Sequence, residues 1–247
     1  MGVKRGHETM LTYSEQYKIR TSDLNYRDDM RLSAYLDLFQ TIAGKHADLL
    51  GLGYEQMLKK GIAWVITKVK FDCLLPLKSD ETVTVVTEPH EKGLMDFTRD
   101  YYVYNERGEL AAKGKSQWVH IDFVSRRLVE PQADFEGEFT TRSAYPKRRI
   151  ERVAAVGEVP TYVHEIVRTD LDHNGHTNNI RYADMIFNAV ELPGLPKRVI
   201  VNYHSESKLG DKVEIAYCRD GDEYVFTGRK NGETCFTAKL FYGEIID

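Results

Sequence analysis

The chain has 247 residues, 42% of them hydrophobic, enough to bury one large core or two of half that size. A net charge of −4 and a pI near 6.1 leave no excess of basic side chains of the kind that gathers nucleic acid. No apolar run approaches the ~18 residues of a membrane span, and the scattered cysteines Cys73, Cys218 and Cys235, without a CxxC pair, fit small buried thiols kept reduced in a cytoplasm.

The polar start, Met1 to Met10, predicts neither export nor an anchor. Gly2 follows Met1 as in a myristoylation signal, but Gly6 stands where that signal needs Ser or Thr. Next, Leu32, Tyr35, Leu36, Phe39, Ile42, Ala43, His46, Leu49 and Leu50 recur at helical spacing until Gly51 and Gly53 break the pattern. Strands are predicted over 63–71, 82–87, 97–104 and 111–121, with a turn at Glu106-Arg107-Gly108-Glu109. From Ser125 to Pro160 the chain holds Pro131, Pro146, Pro160 and the basic run Lys147-Arg148-Arg149, with few regular apolar positions, and reads as a linker. A second, shorter helical pattern runs through Ile180, Tyr182, Met185, Ile186 and Val190. Four more predicted strands follow, at 199–204, 213–218, 224–229 and 234–242, the last two joined by the hairpin signal Asn231-Gly232.

The second half therefore mirrors the first. Arg20-Thr21 laid on Arg168-Thr169, an offset of 148 residues, also brings Phe39 onto Phe187. Each copy reads as strand, loop, helix and antiparallel meander, an α+β unit whose sheet buries the helix on one face. Joined edge to edge, two such units would share one sheet and remove an exposed edge from each. The expected division is an N-terminal unit over 1–135, a linker over 136–158 and a C-terminal unit over 159–247.

The densest polar cluster, Asp170-Leu171-Asp172-His173-Asn174-Gly175-His176-Thr177-Asn178-Asn179, lies between a predicted strand and the second helix. Carboxylate, amide and imidazole are close together there, and backbone N–H groups at a helix start carry partial positive charge suited to an oxyanion. At the 148-residue offset the first copy has Leu24, Tyr26 and Asp28 in place of Asp172, Asn174 and His176, an asymmetry that favours a site over a structural loop. A structural reading stays open, because Asn and Asp are common in turns and caps. Asp170, Asp172, Asn174 and Gly175 also match the start of a calcium loop, but Arg181 stands where that loop needs a bidentate Glu. Zinc on His173 and His176, with His164 or His204, has no HExxH or cysteine partner in support.

The run from Asp170 to Asn179, followed by Tyr182, resembles the D-L-D-x-N-x-H-x-N-N-x-x-Y signature of the acyl-acyl carrier protein thioesterases of plants and bacteria. Trp64-Val65-Ile66-Thr67 resembles that family's W-V-x-T, and Tyr203-His204-Ser205-Glu206-Ser207 its Y-x-x-E-C. The resemblance covers nearly the whole chain. It implies two tandem hot-dog units, each a long helix wrapped by an antiparallel sheet, fused into a double hot-dog, and an enzyme that cuts fatty acyl groups from acyl carrier protein without a cofactor or metal. It also implies that Asp172, Asn174, His176 and Glu206 form the active site.

Ser207 departs from the family's cysteine. A serine is a weak nucleophile at neutral pH unless a base activates it, so the expected mechanism is attack by water, with Glu206 as base and oxyanion donors among the N–H groups near Thr177 and Asn178. Tyr182 is expected in the core. Leu36, Phe39, Trp64, Ile66 and Val69 are expected to line an acyl tunnel in the N-terminal half, where the resemblance places the chain. An acidic carrier would meet a basic rim, for which Lys59-Lys60 and Lys147-Arg148-Arg149 are candidates. The alternatives are a coenzyme A thioesterase and a non-catalytic acyl-binding or sensor protein. Either a monomer or a homodimer suits a fused pair of units.

Overall fold

The apolar spacing after residue 31 produces α1 (Leu32–Leu49), which buries Leu32, Tyr35, Leu36, Leu38, Phe39, Ile42, Ala43 and His46 along one stripe. It ends where Gly51 takes a left-handed φ of 69°, a conformation costly for any residue with a Cβ. The protein is described here by a computed structural model that covers residues 11–157 and 159–245. The polar start with Gly2 and Gly6 lies outside the described residues, as do Glu158 and the last two residues.

The first half contributes β1 (Tyr13–Lys18), α1, a short helix α2 (Tyr54–Lys59), then β2 (Ile62–Cys73), β3 (Thr82–Pro89), β4 (Phe97–Tyr104), β5 (Leu110–Asp122) and the two-residue β6 (Leu128–Val129). The second half contributes β7 (Tyr162–Glu165), α3 (Arg181–Ala189), β8 (Arg198–Tyr203), β9 (Lys212–Asp220), β10 (Glu223–Lys230) and β11 (Glu233–Phe241). All eight predicted meander strands are present. α2 and β6 were not expected, and α3, at 9 residues, is half the 18 of α1.

The strands form one antiparallel sheet in the order β1-β3-β4-β5-β2-β8-β11-β10-β9-β7, with β6 on β5. The order in the second half mirrors that in the first, and the halves meet where β2 pairs with β8, from Lys68↔Asn202 to Asp72↔Arg198. The two half-sheets thus close each other's edge, as the repeat predicts. One continuous apolar core lies between the sheet and both helices. Gly114 on β5 admits α1 at close range, since a Cβ there would stand 2.8 Å from the Phe39 ring.

The segment expected to be a linker is instead a strap packed on the outer face of the sheet. Ala144, Tyr145, Ile150 and Val153 are buried. Arg142 pairs with Glu88 at 2.8 Å, Arg148 with Asp96 at 2.7 Å, and the Ala144 N–H donates to Asp100 at 2.7 Å. The strap is basic and poor in regular apolar positions because the face it covers carries carboxylates. Arg148, a candidate for carrier docking, is therefore already held by Asp96. Cys73 and Cys235 are buried, but Cys218 is exposed on the face of β9 opposite the buried Val213 and Ile215, a correction to the reading of three buried thiols.

Candidate active site

The two loop–helix junctions share one backbone, and it fixes the alignment of the halves. Short 3-10 turns at Thr21–Asp23 and Arg168–Asp170 precede them, each ending in a buried aspartate whose carboxylate accepts the N–H of Arg20 or Val167. The bridges Leu24↔Met30 and Leu171↔Thr177 follow, and Asp28 and Gly175 both sit at positive φ, 61° and 75°. These features superpose at an offset of 147, one less than the Arg-Thr identity suggests. The first-half counterparts of Asp172, Asn174 and His176 are therefore Asn25, Arg27 and Asp29, not Leu24, Tyr26 and Asp28.

This corrects the asymmetry argument for one residue. Asp172 Oδ1 accepts the backbone N–H groups of Asn174 (2.8 Å) and His176 (3.1 Å), and Asn25 Oδ1 accepts those of Arg27 (2.8 Å) and Asp29 (3.2 Å). Asp172 thus builds the turn that presents its neighbours. Asn174 and His176 have no such counterparts.

Glu206 lies just past the end of β8, in a segment that runs beside the loop rather than on a strand. The Thr177 N–H and hydroxyl both donate to the Ser207 carbonyl (2.8 and 3.0 Å), His176 bridges to Lys208, and Lys230 Nζ donates to the Glu206 carbonyl at 2.7 Å. This brings Glu206 Oε2 to 3.3 Å from His176 Nε2, with the two side chains 40% and 23% exposed. The other carboxylate oxygen, Oε1, pairs with Arg126. Asn174 Oδ1 accepts from the Tyr54 hydroxyl at 2.7 Å. Tyr54 and Arg126 carry no sequence signal, because each reaches the loop region from a remote part of the first half.

Other expectations resolve differently. The Thr177 N–H is taken by Ser207 and that of Asn178 by the Asp170 carbonyl at 2.8 Å, so neither is available to an oxyanion. Ser207 is fully buried, its Oγ accepting from the Tyr182 hydroxyl at 3.2 Å and approaching Cys235 Sγ at 3.8 Å. Among the described residues no carboxylate or imidazole is hydrogen-bonded to the Ser207 hydroxyl, which sits in the packed interior. Tyr182 is in the core as expected, and burial raises its phenol to about 12. His164 faces Asp170 at 2.8 Å, His204 faces Thr237 at 3.2 Å, and the His173 ring meets Tyr54 edge-on at 4.6 Å, so the four histidines weighed for zinc have separate surroundings.

A narrow, nearly closed cleft is lined by Asn179, Ile180 and Tyr203 from the second half and by Leu36, Phe39, Ile66, Val69, Tyr101 and Trp118 from the first. Four of the five expected tunnel residues line it. Trp64 does not: its indole N–H donates to the Leu52 carbonyl at 2.9 Å, and its ring packs on Phe97, Trp118 and His120. In the W-V-x-T run, Thr67 is the bulge residue of β2, where pairing with β5 shifts between Ile66 and Lys68.

The models of the acyl-ACP thioesterase N-terminal and C-terminal domains match residues 10–139 and 160–237. The chain belongs to the acyl-ACP thioesterase family. It is 25% identical over 213 residues to the chloroplastic palmitoyl-acyl carrier protein thioesterase of Gossypium hirsutum, a match covering 78% of this chain and 50% of that protein. The chain spans about half the length of the curated relatives it matches first. Among solved structures, an acyl-ACP thioesterase from Bacteroides thetaiotaomicron superposes with a TM-score of 0.86 at 19% identity, covering 94% of this chain and 98% of that one. The 12:0-ACP thioesterase from Umbellularia californica superposes with a TM-score of 0.81 at 18% identity, covering 98% of each. The fold is the double hot-dog of these thioesterases. No helix among the described residues is long and apolar enough to cross a membrane.

Proposed function

We propose that this thioesterase family member hydrolyses the thioester of fatty acyl-acyl carrier protein, releasing free fatty acid and carrier. The observation that carries the proposal is a carboxylate–imidazole pair, Glu206 with His176, held by the same loop whose later residues Asn179 and Ile180 line a largely apolar cleft. A binding protein has no use for a base at that place. Glu206 takes a proton from water as the water attacks the thioester carbonyl. The amide of Asn174 donates to the oxyanion that forms, its Nδ2 being the edge left once Tyr54 holds Oδ1. Collapse of the intermediate breaks the C–S bond, and the thiolate takes a proton from the second ring nitrogen of His176 as Glu206 passes the proton it gained to His176 Nε2. Asp172 acts through the backbone, by fixing the turn.

In this reading the N-terminal unit, 1–135, houses the acyl chain, the segment 136–158 joins the units and its described part, 136–157, holds the outer face, and 159–247 carries the chemistry. Three unpaired cysteines support a reducing compartment, the cytoplasm. The test is hydrolysis of carrier-linked acyl chains, with coenzyme A thioesters compared alongside. Glu206→Ala is expected to lose about 10²–10⁴-fold in kcat. Wild-type turnover in that variant would refute the base, and faster turnover on the coenzyme A thioester would reassign the donor.

A further inference from the structure

The mechanism above takes all its reacting groups from the second half, yet each of the two principal ones is gripped by a side chain from the first. Tyr54 opens α2 and follows the tight turn Gly51-Leu52-Gly53. Gly53 lies so close to Asp48 that a Cβ would stand 1.7 Å from its Oδ1, and Leu52 and Met57 on either side of Tyr54 are buried against the Trp64 cluster. So anchored, Tyr54 sets its ring against His173 and its hydroxyl 2.7 Å from Asn174 Oδ1. Arg126 sits in the turn between β5 and β6 at a φ of 59°. Asp122 fixes that turn by accepting the N–H and hydroxyl of Ser125, both at 2.7 Å, bonds that hold its carboxyl below the ordinary range. From there the guanidinium reaches Glu206 Oε1 while His176 faces Oε2, so both carboxylate oxygens have a fixed partner.

We propose that Tyr54 and Arg126 are positioning residues: the N-terminal half orients Asn174 and Glu206, and the active centre is complete only across the interface of the two units. This rests on the proposed thioester hydrolysis. A folding role is disfavoured because Tyr54 is 41% exposed and the Arg126 and Glu206 side chains 40% each, and pairs that open to water add little to stability. A phosphate-anchoring role for Arg126 fails on reach. The pantetheine arm places two amide units and their linking carbons between its phosphate and its sulfur, so a guanidinium touching the base at the thioester is too near the reacting carbon to meet the phosphate.

The test uses the full chain and the carrier-linked thioester. Tyr54→Phe keeps the ring and removes the hydroxyl, and it should lower kcat about five- to tenfold with KM and melting temperature unchanged, the worth of one oriented hydrogen bond. Arg126→Ala should lower kcat at least as much, and Arg126→Lys should restore part of it. The deciding measurement is a pair of double-mutant cycles. Tyr54→Phe should cost less than about twofold in an Asn174→Ala background, and Arg126→Ala likewise in a Glu206→Gln background. Fully additive losses, a rise in KM alone, or wild-type kcat in both single variants would overturn the assignment while leaving the hydrolase intact. A wild-type chain that releases no fatty acid would overturn both.

Discussion

Asn25 and Asp172 stand at equivalent places ahead of the two helices and perform the same task, each accepting the N–H groups two and four residues on through one side-chain oxygen. The residues whose N–H groups they bind differ: Arg27 and Asp29 in the first loop, Asn174 and His176 in the second. Both loops also touch the other half just past its helix. Arg27 pairs with Glu191 at 3.0 Å, and Asn174 meets Tyr54. The duplicated turn is thus a presenting device, and in the proposed mechanism the chemistry follows from which two side chains it presents.

The strongest way to break this comparison is to rewrite the second loop as the first. A chain with Asn174→Arg and His176→Asp should fold, melt within roughly 3 °C of wild type, and lose at least about a thousandfold in turnover. Retained hydrolysis would show that the loop identity is irrelevant.

The halves should also separate by pH. Two buried histidines of the first half, His46 and His120, are held at about 4, chiefly by burial and then by Arg99 and Lys60 respectively. Both are neutral in the fold and take a proton on unfolding below about 6.5, so stability falls as pH drops from about 6.5 towards 4 and levels off below that. At pH 5 each costs about 2 kcal/mol. Replacing His120 with Phe should flatten the dependence of the melting temperature on pH between 7 and 5. An unchanged slope would remove His120 from this account.

A smaller effect tests the shared turn. Asp172→Asn recreates the first loop's acceptor and should melt as wild type, whereas Asp172→Ala should lose about 1–2 kcal/mol by leaving two N–H groups without their partner. Turnover should fall less in the asparagine variant than in the alanine one. Smallest of all, Ser207→Ala should leave kcat within about threefold and lower the melting temperature by a few degrees, because the Tyr182 hydroxyl loses its acceptor. A collapse of turnover there would restore a catalytic serine.

Much of this was legible in the linear chain because it depends on local physics. Apolar spacing set α1 and the eight meander strands, and the imperfect duplication predicted two units sharing one sheet. The polar run from Asp170 to Asn179 marked the loop that carries Asn174 and His176. What the chain could not announce is any pairing across distance. An Arg-Thr identity misplaced the repeat by one residue, because backbone geometry, not side-chain identity, aligns two copies. The strap over residues 136–157 looked like a linker because its partners are carboxylates on a remote sheet face rather than an apolar stripe of its own. Tyr54 and Arg126 reach Asn174 and Glu206 from positions 120 and 80 residues away in sequence. Periodicity records which face of an element is buried and says nothing about which neighbour buries it, so the polar loop was written in sequence, whereas the meeting of the two halves was decided by the docking of β2 against β8.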